Sequence, residues 1–317
     1  MKILVVDCGN TISESNIYKY YGDIFREMDS LCELEIVQAP GFYFSVDQLI
    51  NGRNDIDCIL FAWGYFTQGD KTAYGKIEGL AEIEIPVVCM VYKPQTLLEE
   101  KLEFCKTNNV NLIVDSHSTY KDFEKITGIR AIRLPFSATP KYFHARDVEK
   151  EYDVGFCGAF HGNGKIKGEA QDLRPRIHDV LSSLSLKTYW RGQYTPSDRI
   201  ASTDEYAANM NKSKIWISTT GPVDDMGPRY FEVTLSKALL FCNKMVDTYE
   251  EYFIDGVNCV MFENNLSDFE DKLDFYIKND TEREKIIENA YLLTSNNHTW
   301  KHMALQLLEE IKNETGK

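Results

Sequence analysis

The sequence has no apolar run approaching the stretch of about 18 residues that reads as a membrane-spanning helix, so no transmembrane segment is expected. Its opening, MKILVVDCGN, turns polar after one short apolar run and carries no small-residue cleavage pattern, and is read as a first strand rather than a signal peptide. Low-complexity tracts and short-period repeats are missing too, which excludes a disordered chain and a solenoid. Eight cysteines are present, but no two form a CxxC pair. Most fall in apolar strand-like runs, as free thiols of a reducing compartment do, so the expected location is cytoplasmic. Histidines 117, 144, 161, 178, 298 and 302 show no H-E-x-x-H or other ligand spacing, and no metal site is expected. Basic residues are in deficit, 35 against 49 acidic, and the net charge of −14 argues against a partner such as a nucleic-acid duplex or an anionic membrane surface. A local basic pocket for a nucleotide is compatible with it.

What is present is an alternation. Short β-branched runs (KILVVD, ELEIVQ, CILFAW, PVVCMV, NLIVD, IRAIRLP) are separated by helical patterns, among them Ser13 to Met28, a short helix from Ser45, Thr96 to Thr107 and a helix from Tyr120. After Pro135 the stretch FSATPKYFHARDVEKEY has no period, and DVGFCG then restarts the same grammar, followed by LKTYW, KIWIS, ALLFC and NCVMF with helices between them. Strand and helix in turn dictate parallel, doubly wound sheets, so the fold class is α/β with two facing Rossmann-like domains. We place the boundary near Ala145 to Tyr152, giving residues 1–148 and 149–298, with 299–317 as a closing helix. Ligands of such sheets bind at the carboxyl ends of the strands, and a cleft between two facing domains is the expected site.

Asp224 to Glu232, DDMGPRYFE, is the most informative segment. Proline suits the first helical position, so a helix is expected from Pro228 with Gly227 as its cap. The amides of Arg229 and Tyr230 are then expected as free donors beside the Arg229 guanidinium, which together make an anion site. Glu232 follows about one turn later, while Asp224 precedes it. The order acid, anion site, acid matches the sugar, diphosphate and ribose of a nucleotide sugar. An acidic loop capping an ordinary helix is the competing reading.

Other candidates cluster at strand ends. Gly155, Gly158, Gly162, Gly164 and Gly168 let backbone amides approach phosphates, although their spacing fits neither G-x-G-x-x-G nor G-x-x-x-x-G-K-[ST], and a dehydrogenase is disfavoured. Lys165, Lys167, Arg174 and Arg176 either neutralise a diphosphate or are solvated, with Arg174 preferred because a helix starts at Pro175. Trp190 and Arg191, ahead of Gly192, either wall a nucleobase or pack in the core. In the first half, Gly9 and Asn10 follow the first strand and offer an acceptor-side turn, or a plain strand-to-helix connection. Trp63 is either a sugar platform or the end of a buried strand, and His117 either a catalytic base or a satisfied loop histidine. Ser116 and Ser118 lack a G-x-S-x-G elbow, which argues against a serine hydrolase.

The second half resembles the group 1 glycosyltransferases, more narrowly their spore-maturation-protein-like branch. DVGFCG, GPRYFEVTLSKALLF, EEYFIDGVNCVMFEN and the closing runs from Ser267 to Ala290 and His298 to Ile311 carry the resemblance, over roughly residues 153 to 312. Members have a Glu, seven residues and a second Glu, with a Gly three after the first; Asp224, Gly227 and Glu232 stand at those places. The resemblance implies a GT-B fold with a C-terminal helix, Thr299 to Asn313, crossing back to the first domain. It also implies that Glu232 binds the donor ribose, that Asp224 faces the transferred sugar, and that Arg229 stabilises the leaving diphosphate. Lys237 stands where many relatives have Gly and would lie near the phosphates or point to solvent. Such enzymes generally need neither metal nor cofactor and lean to retention of configuration.

The expected function is therefore transfer of a sugar from a nucleoside diphosphate donor, UDP- or GDP-linked, to a glycan, lipid or protein acceptor. A sugar-nucleotide epimerase on the same fold predicts product without an acceptor. A catalytically silent sugar-binding or assembly protein, which the departures at Asp224 and Lys237 would suit, predicts binding without turnover.

Overall fold

The computed structural model describes residues 1–8, 20–41, 43–67, 76–91, 96–117, 120–160, 173–193, 202–220, 226–245 and 251–316. The chain divides into two compact units, one of Met1–Pro135 with Trp300–Lys317, the other of Phe136–Thr299. Each contains a wholly parallel sheet.

The first unit runs β1 (Lys2–Asp7), α1 (Tyr20–Asp29), β2 (Glu33–Gln38), α2 (Val46–Ile50), β3 (Cys58–Phe61), β4 (Val87–Val91), α3 (Leu98–Thr107), β5 (Leu112–Asp115), α4 (Tyr120–Thr127) and β6 (Arg130–Arg133). The strand order is β2-β1-β3-β4-β5-β6. Strands β3, β4 and β5 are buried on both faces, which is why they read as continuous Val/Ile/Leu/Cys runs rather than alternating ones. Edge strand β2 has an exposed or half-exposed side chain at every position, consistent with its two glutamates. Ser45 starts α2 in a capping box with Gln48, as the sequence signature Ser-x-x-Gln requires.

The second unit runs β7 (Tyr152–Ala159), α5 (Leu173–Ser183), β8 (Thr188–Gln193), α6 (Thr203–Asn211), β9 (Ser213–Ser218), α7 (Arg229–Leu235), β10 (Leu239–Asn243), β11 (Val260–Phe262), α8 (Phe269–Lys278) and α9 (Asp280–Asn297). Its order is β11-β10-β9-β7-β8. Strand alternation sorts its apolar residues into two cores, one on each face. Trp216, Leu240 and Cys242 meet α6 and α7 on one side, whereas Ile215, Ile217, Leu239 and Phe241 meet α5, α8 and α9 on the other.

The units divide at Pro135, ahead of the boundary at residue 148 expected from the aperiodic stretch. Ala138 and Phe143 are buried with Trp216 in the second unit's core, and the Arg146 amide donates to Asn211 Oδ1 (2.8 Å). Sequence periodicity misses this because the segment is held by side chains, with no strand or helix of its own.

The final helix, α10 (Trp300–Thr315), belongs to the first unit. Its buried residues Trp300, Met303, Ala304, Leu307, Leu308 and Ile311 recur at helical spacing and cover α1. Arg130 of β6 pairs with both Glu310 and Glu314 on the same helix. Among the described residues no helix is long and apolar enough to cross a membrane.

Candidate functional site

In the second sheet β8 and β9 lie on opposite sides of β7, so the chain reverses its direction of winding between β7 and β9. The carboxyl ends of those two strands are the position where doubly wound sheets take ligands. Of the residues expected from sequence, Gly158, Arg229 and Glu232 come together near the end of β7.

Gly158 lies at the end of β7, and Arg229, which opens α7, brings its guanidinium against it. A Cβ on Gly158 would sit 3.3 Å from Nη1 and 3.4 Å from Nη2. The Arg229 carbon lies 5.9 Å from the Phe156 ring, and Nε donates to Tyr206 Oη at 2.8 Å. Burial works against the charge of Arg229, but the surrounding Tyr206, Cys157 and Glu232 outweigh it and raise its pKa, so the guanidinium is charged at every relevant pH. Burial likewise pushes the Cys157 thiol up, with Arg229 opposing. Glu232 is buried in the first turn of α7, where a carboxylate suits the helix dipole.

At the end of β9 the network is polar. Arg174 is buried at the start of α5 and donates from Nε to Thr219 Oγ1 at 2.9 Å. The Thr220 amide donates to Asn243 Oδ1 (2.9 Å), and Asn243 Nδ2 donates in turn to Asn264 Oδ1 (3.0 Å). These bonds tie together the end of β9, β10 and the loop after β11. Arg176 points elsewhere, to the Asn265 carbonyl at 3.0 Å.

The helix start differs in detail from the expectation. Pro228 has helical angles (φ −59°, ψ −23°) but stands at the cap itself, ahead of a helix that begins at Arg229, rather than as a first helical residue capped by Gly227. The Tyr230 amide, however, makes a long 3.4 Å turn bond to the Gly227 carbonyl. Of the two amides expected to be free, only that of Arg229 makes no bond among the described residues. The Tyr230 ring is buried beside Phe253, because it falls on the apolar face of α7.

Trp190 stacks on Phe156 (4.3 Å, 21°) and leans on the second core from the middle of β8, which runs on past it to Gln193. Gly192 permits this arrangement, since a Cβ there would come within 2.5 Å of both Phe160 and Trp190 Nε1. Arg191 is exposed, 5.9 Å from the Tyr189 ring.

Lys237 is not brought to this cluster. It lies beyond the C-terminus of α7, eight residues past Arg229, or about 12 Å along the axis at helical rise. It pairs with Glu288 (2.7 Å), and its φ of +49° explains why glycine suits the position. Its carbonyl accepts a 2.7 Å bond from Lys150 Nζ, which also donates to the Ser213 carbonyl (3.0 Å). Burial pushes the Lys150 pKa down to about 8, with Glu284 opposing and Arg283 adding to the shift. An unfolded lysine titrates near ~10.4, so between about pH 8 and that value the unfolded chain holds a proton the folded chain has released, and stability rises with pH. Urea titrations across that window should show wild type gaining on the order of 2 kcal/mol relative to Lys150→Met. A pH-independent difference would contradict the shift.

In the first unit the His117 ring follows β5, buried, with Nδ1 2.9 Å from Asp115 Oδ1 and 3.1 Å from Ser116 Oγ. Trp63 follows β3 and is fully buried, edge-on to Trp300 at 5.9 Å, so it offers no exposed face to a sugar. Gly9, Asn10, Asp224 and Asp225, with Lys165, Lys167 and the glycines 162, 164 and 168, lie outside the described residues. Tyr206, Thr219 and Asn243 are the residues that sequence reasoning missed. Thr219 and Thr220 could have been found as polar residues directly after the strand KIWIS, whereas nothing in the spacing marks Tyr206.

Residues 166–309 match the family model described as glycosyl transferase-like. Among curated proteins none matches in sequence. Solved structures are similar over nearly the whole chain. HepE of Anabaena, in complex with UDP, is 11% identical with a TM-score of 0.65, covering 99% of this chain and 100% of its own. Sucrose-phosphate synthase from Thermosynechococcus elongatus is 7% identical, TM-score 0.62, covering 99% and 98%. A glycosyltransferase from Rickettsia africae is 13% identical, TM-score 0.58, covering 99% and 98%. The chain thus has the α/β GT-B fold of glycosyltransferases, and the glycosyl transferase-like match runs from the stretch after β7 through the rest of the second unit into the last helix.

Proposed function

We propose that this protein is a glycosyltransferase that moves a hexosyl or pentosyl group from a nucleoside diphosphate sugar to a glycan, lipid or protein acceptor, with retention of configuration. The observation that carries the reading is the convergence of a charged Arg229, the bare backbone of Gly158 and the buried Glu232 at the switch point of the second sheet. An arginine fork beside a glycine suits a diphosphate, and a carboxylate one turn along suits the vicinal hydroxyls of a ribose. Asp224, carried from the resemblance, is assigned to the transferred sugar. The Arg, two residues, Glu spacing of Arg229 and Glu232 supports the spore-maturation-like branch. HepE was solved with UDP-glucose, which makes a UDP-sugar the first donor to try.

Catalysis in this reading rests on stabilising the departing diphosphate by fixed donors, chiefly Arg229, with no metal or cofactor assigned a role. Retention needs no protein base. An inverting reaction would need a base from the first unit, with His117 or an Asp there as candidates, and the anomeric configuration of the product decides between the two.

A thermal-shift panel of UDP, GDP and their sugars tests the donor, since a ligand of the folded state raises the melting temperature by mass action. UDP at about 100 times its Kd is worth roughly 2.7 kcal/mol. Glu232→Ala should abolish the shift; an unchanged shift removes the ribose assignment. Turnover of the donor only when an acceptor is added separates transfer from epimerisation, and binding without turnover would identify a silent sugar-binding protein.

A further inference from the structure

Tyr206 has no place in the reading above, yet it makes the one polar side-chain bond that Arg229 forms among the described residues. Its ring is clamped edge-on against Trp216 (5.8 Å, 68°) and Phe143 (5.9 Å, 87°), so the hydroxyl is fixed by two aromatic contacts from different parts of the second unit. That hydroxyl accepts from Nε, the donor on the stem side of the guanidinium. The two terminal nitrogens are left together against Gly158, and among the described residues no side-chain hydrogen bond engages them.

We propose that Tyr206 is a positioning residue for diphosphate recognition, which holds the Arg229 fork by Nε so that Nη1 and Nη2 present a ready pair of donors beside Gly158. The proposal rests on the assignment of Arg229 to the diphosphate. The choice of tyrosine matters chemically. An aspartate or glutamate would fix the fork equally well but would neutralise the charge meant for an anion, whereas a phenol orients without cancelling. Burial raises the Tyr206 pKa well above the phenol range, so the pair is a neutral hydroxyl and a full cation. A long side chain held in its binding rotamer also loses less freedom when the ligand arrives.

The test is calorimetric titration with UDP and with uridine, which share a base and ribose but differ in the diphosphate. Tyr206→Phe keeps the ring packing and removes only the hydroxyl. It should weaken UDP about tenfold and leave uridine unchanged. In an Arg229→Ala background the same change should have no further effect on UDP. Arg229→Lys keeps a charge but has no fork for Tyr206 to hold, and should lose most of the UDP affinity. Equal losses for UDP and uridine in Tyr206→Phe would mark a purely structural residue and overturn the proposal, as would wild-type UDP binding by Arg229→Lys. If Tyr206→Phe binds UDP normally while Arg229→Ala does not, positioning fails and the diphosphate assignment stands. If Arg229→Ala itself binds UDP normally, the assignment fails and positioning with it.

Discussion

Replacing Gly155 by alanine is expected to destabilise the second unit by about 3 kcal/mol, the upper end of the usual cost of overpacking. Gly155 sits in β7, an interior strand paired to Tyr189 on one side and Trp216 on the other. A Cβ there would lie 2.3 Å from Trp216 Cε3 and 2.5 Å from Ser213 Oγ, distances no real Cβ tolerates. Trp216 has nowhere to go, being fully buried, stacked on Tyr189 at 6.1 Å and edge-on to Tyr206 at 5.8 Å. A thermal melt should fall by roughly 6–12 °C for a unit of this size. The displaced indole would also push on Tyr206, and through its hydroxyl on Arg229, so the UDP affinity that the proposed function requires should fall even at temperatures where the variant is folded. A melting point within ~2 °C of wild type would mean that Trp216 does not occupy the space against Gly155.

The same glycine shows where sequence reading reached and where it stopped. Gly155 was noticed among glycines that suit a phosphate loop, but its role is to admit a tryptophan from the neighbouring strand, a pairing that no local pattern contains. Central strands were legible because burial on both faces forces unbroken apolar runs, so CILFAW, PVVCMV and NLIVD mark β3, β4 and β5, whereas ELEIVQ marks the exposed edge strand β2 by its β-branched residues alone. The short helix at Ser45 was legible for a similarly local reason, whereas the cap of α7 falls on Pro228 and not on the expected Gly227. Side-chain environment was not. Trp63 reads equally as a platform or a buried strand end until Trp300, at the far end of the chain, is found against it. Tyr230 and Glu232 are neighbours on one short helix, and periodicity cannot tell that the tyrosine ring faces Phe253. Arg229 stands out locally by its place at a helix start, but its partner Tyr206 comes from α6, across a strand and a loop. The unit boundary was misplaced for a related cause, since residues 136–148 are bound to the second unit by Phe143 and by the Asn211 hydrogen bonds.

The last helix provides the other large effect. Trp300→Ala removes a fully buried indole from the first unit, where it packs against Trp63 under the start of α10, and should cost about 3–5 kcal/mol. The loss exceeds that of a surface helix because Trp300 anchors a stripe, Met303, Leu307 and Ile311, that covers α1 some 270 residues earlier in the chain. Closing so long a loop is entropically unfavourable, so the docking of α10 depends on its buried side chains rather than on its neighbours in sequence. Hydrogen exchange gives the decisive readout, because global unfolding of a two-unit chain is not one transition. Protection should fall in α1, β3 and α10 while β9 and α7 of the second unit keep theirs. Uniform loss throughout would contradict the division into units, and no loss would show that α10 holds its place without the Trp63–Trp300 contact.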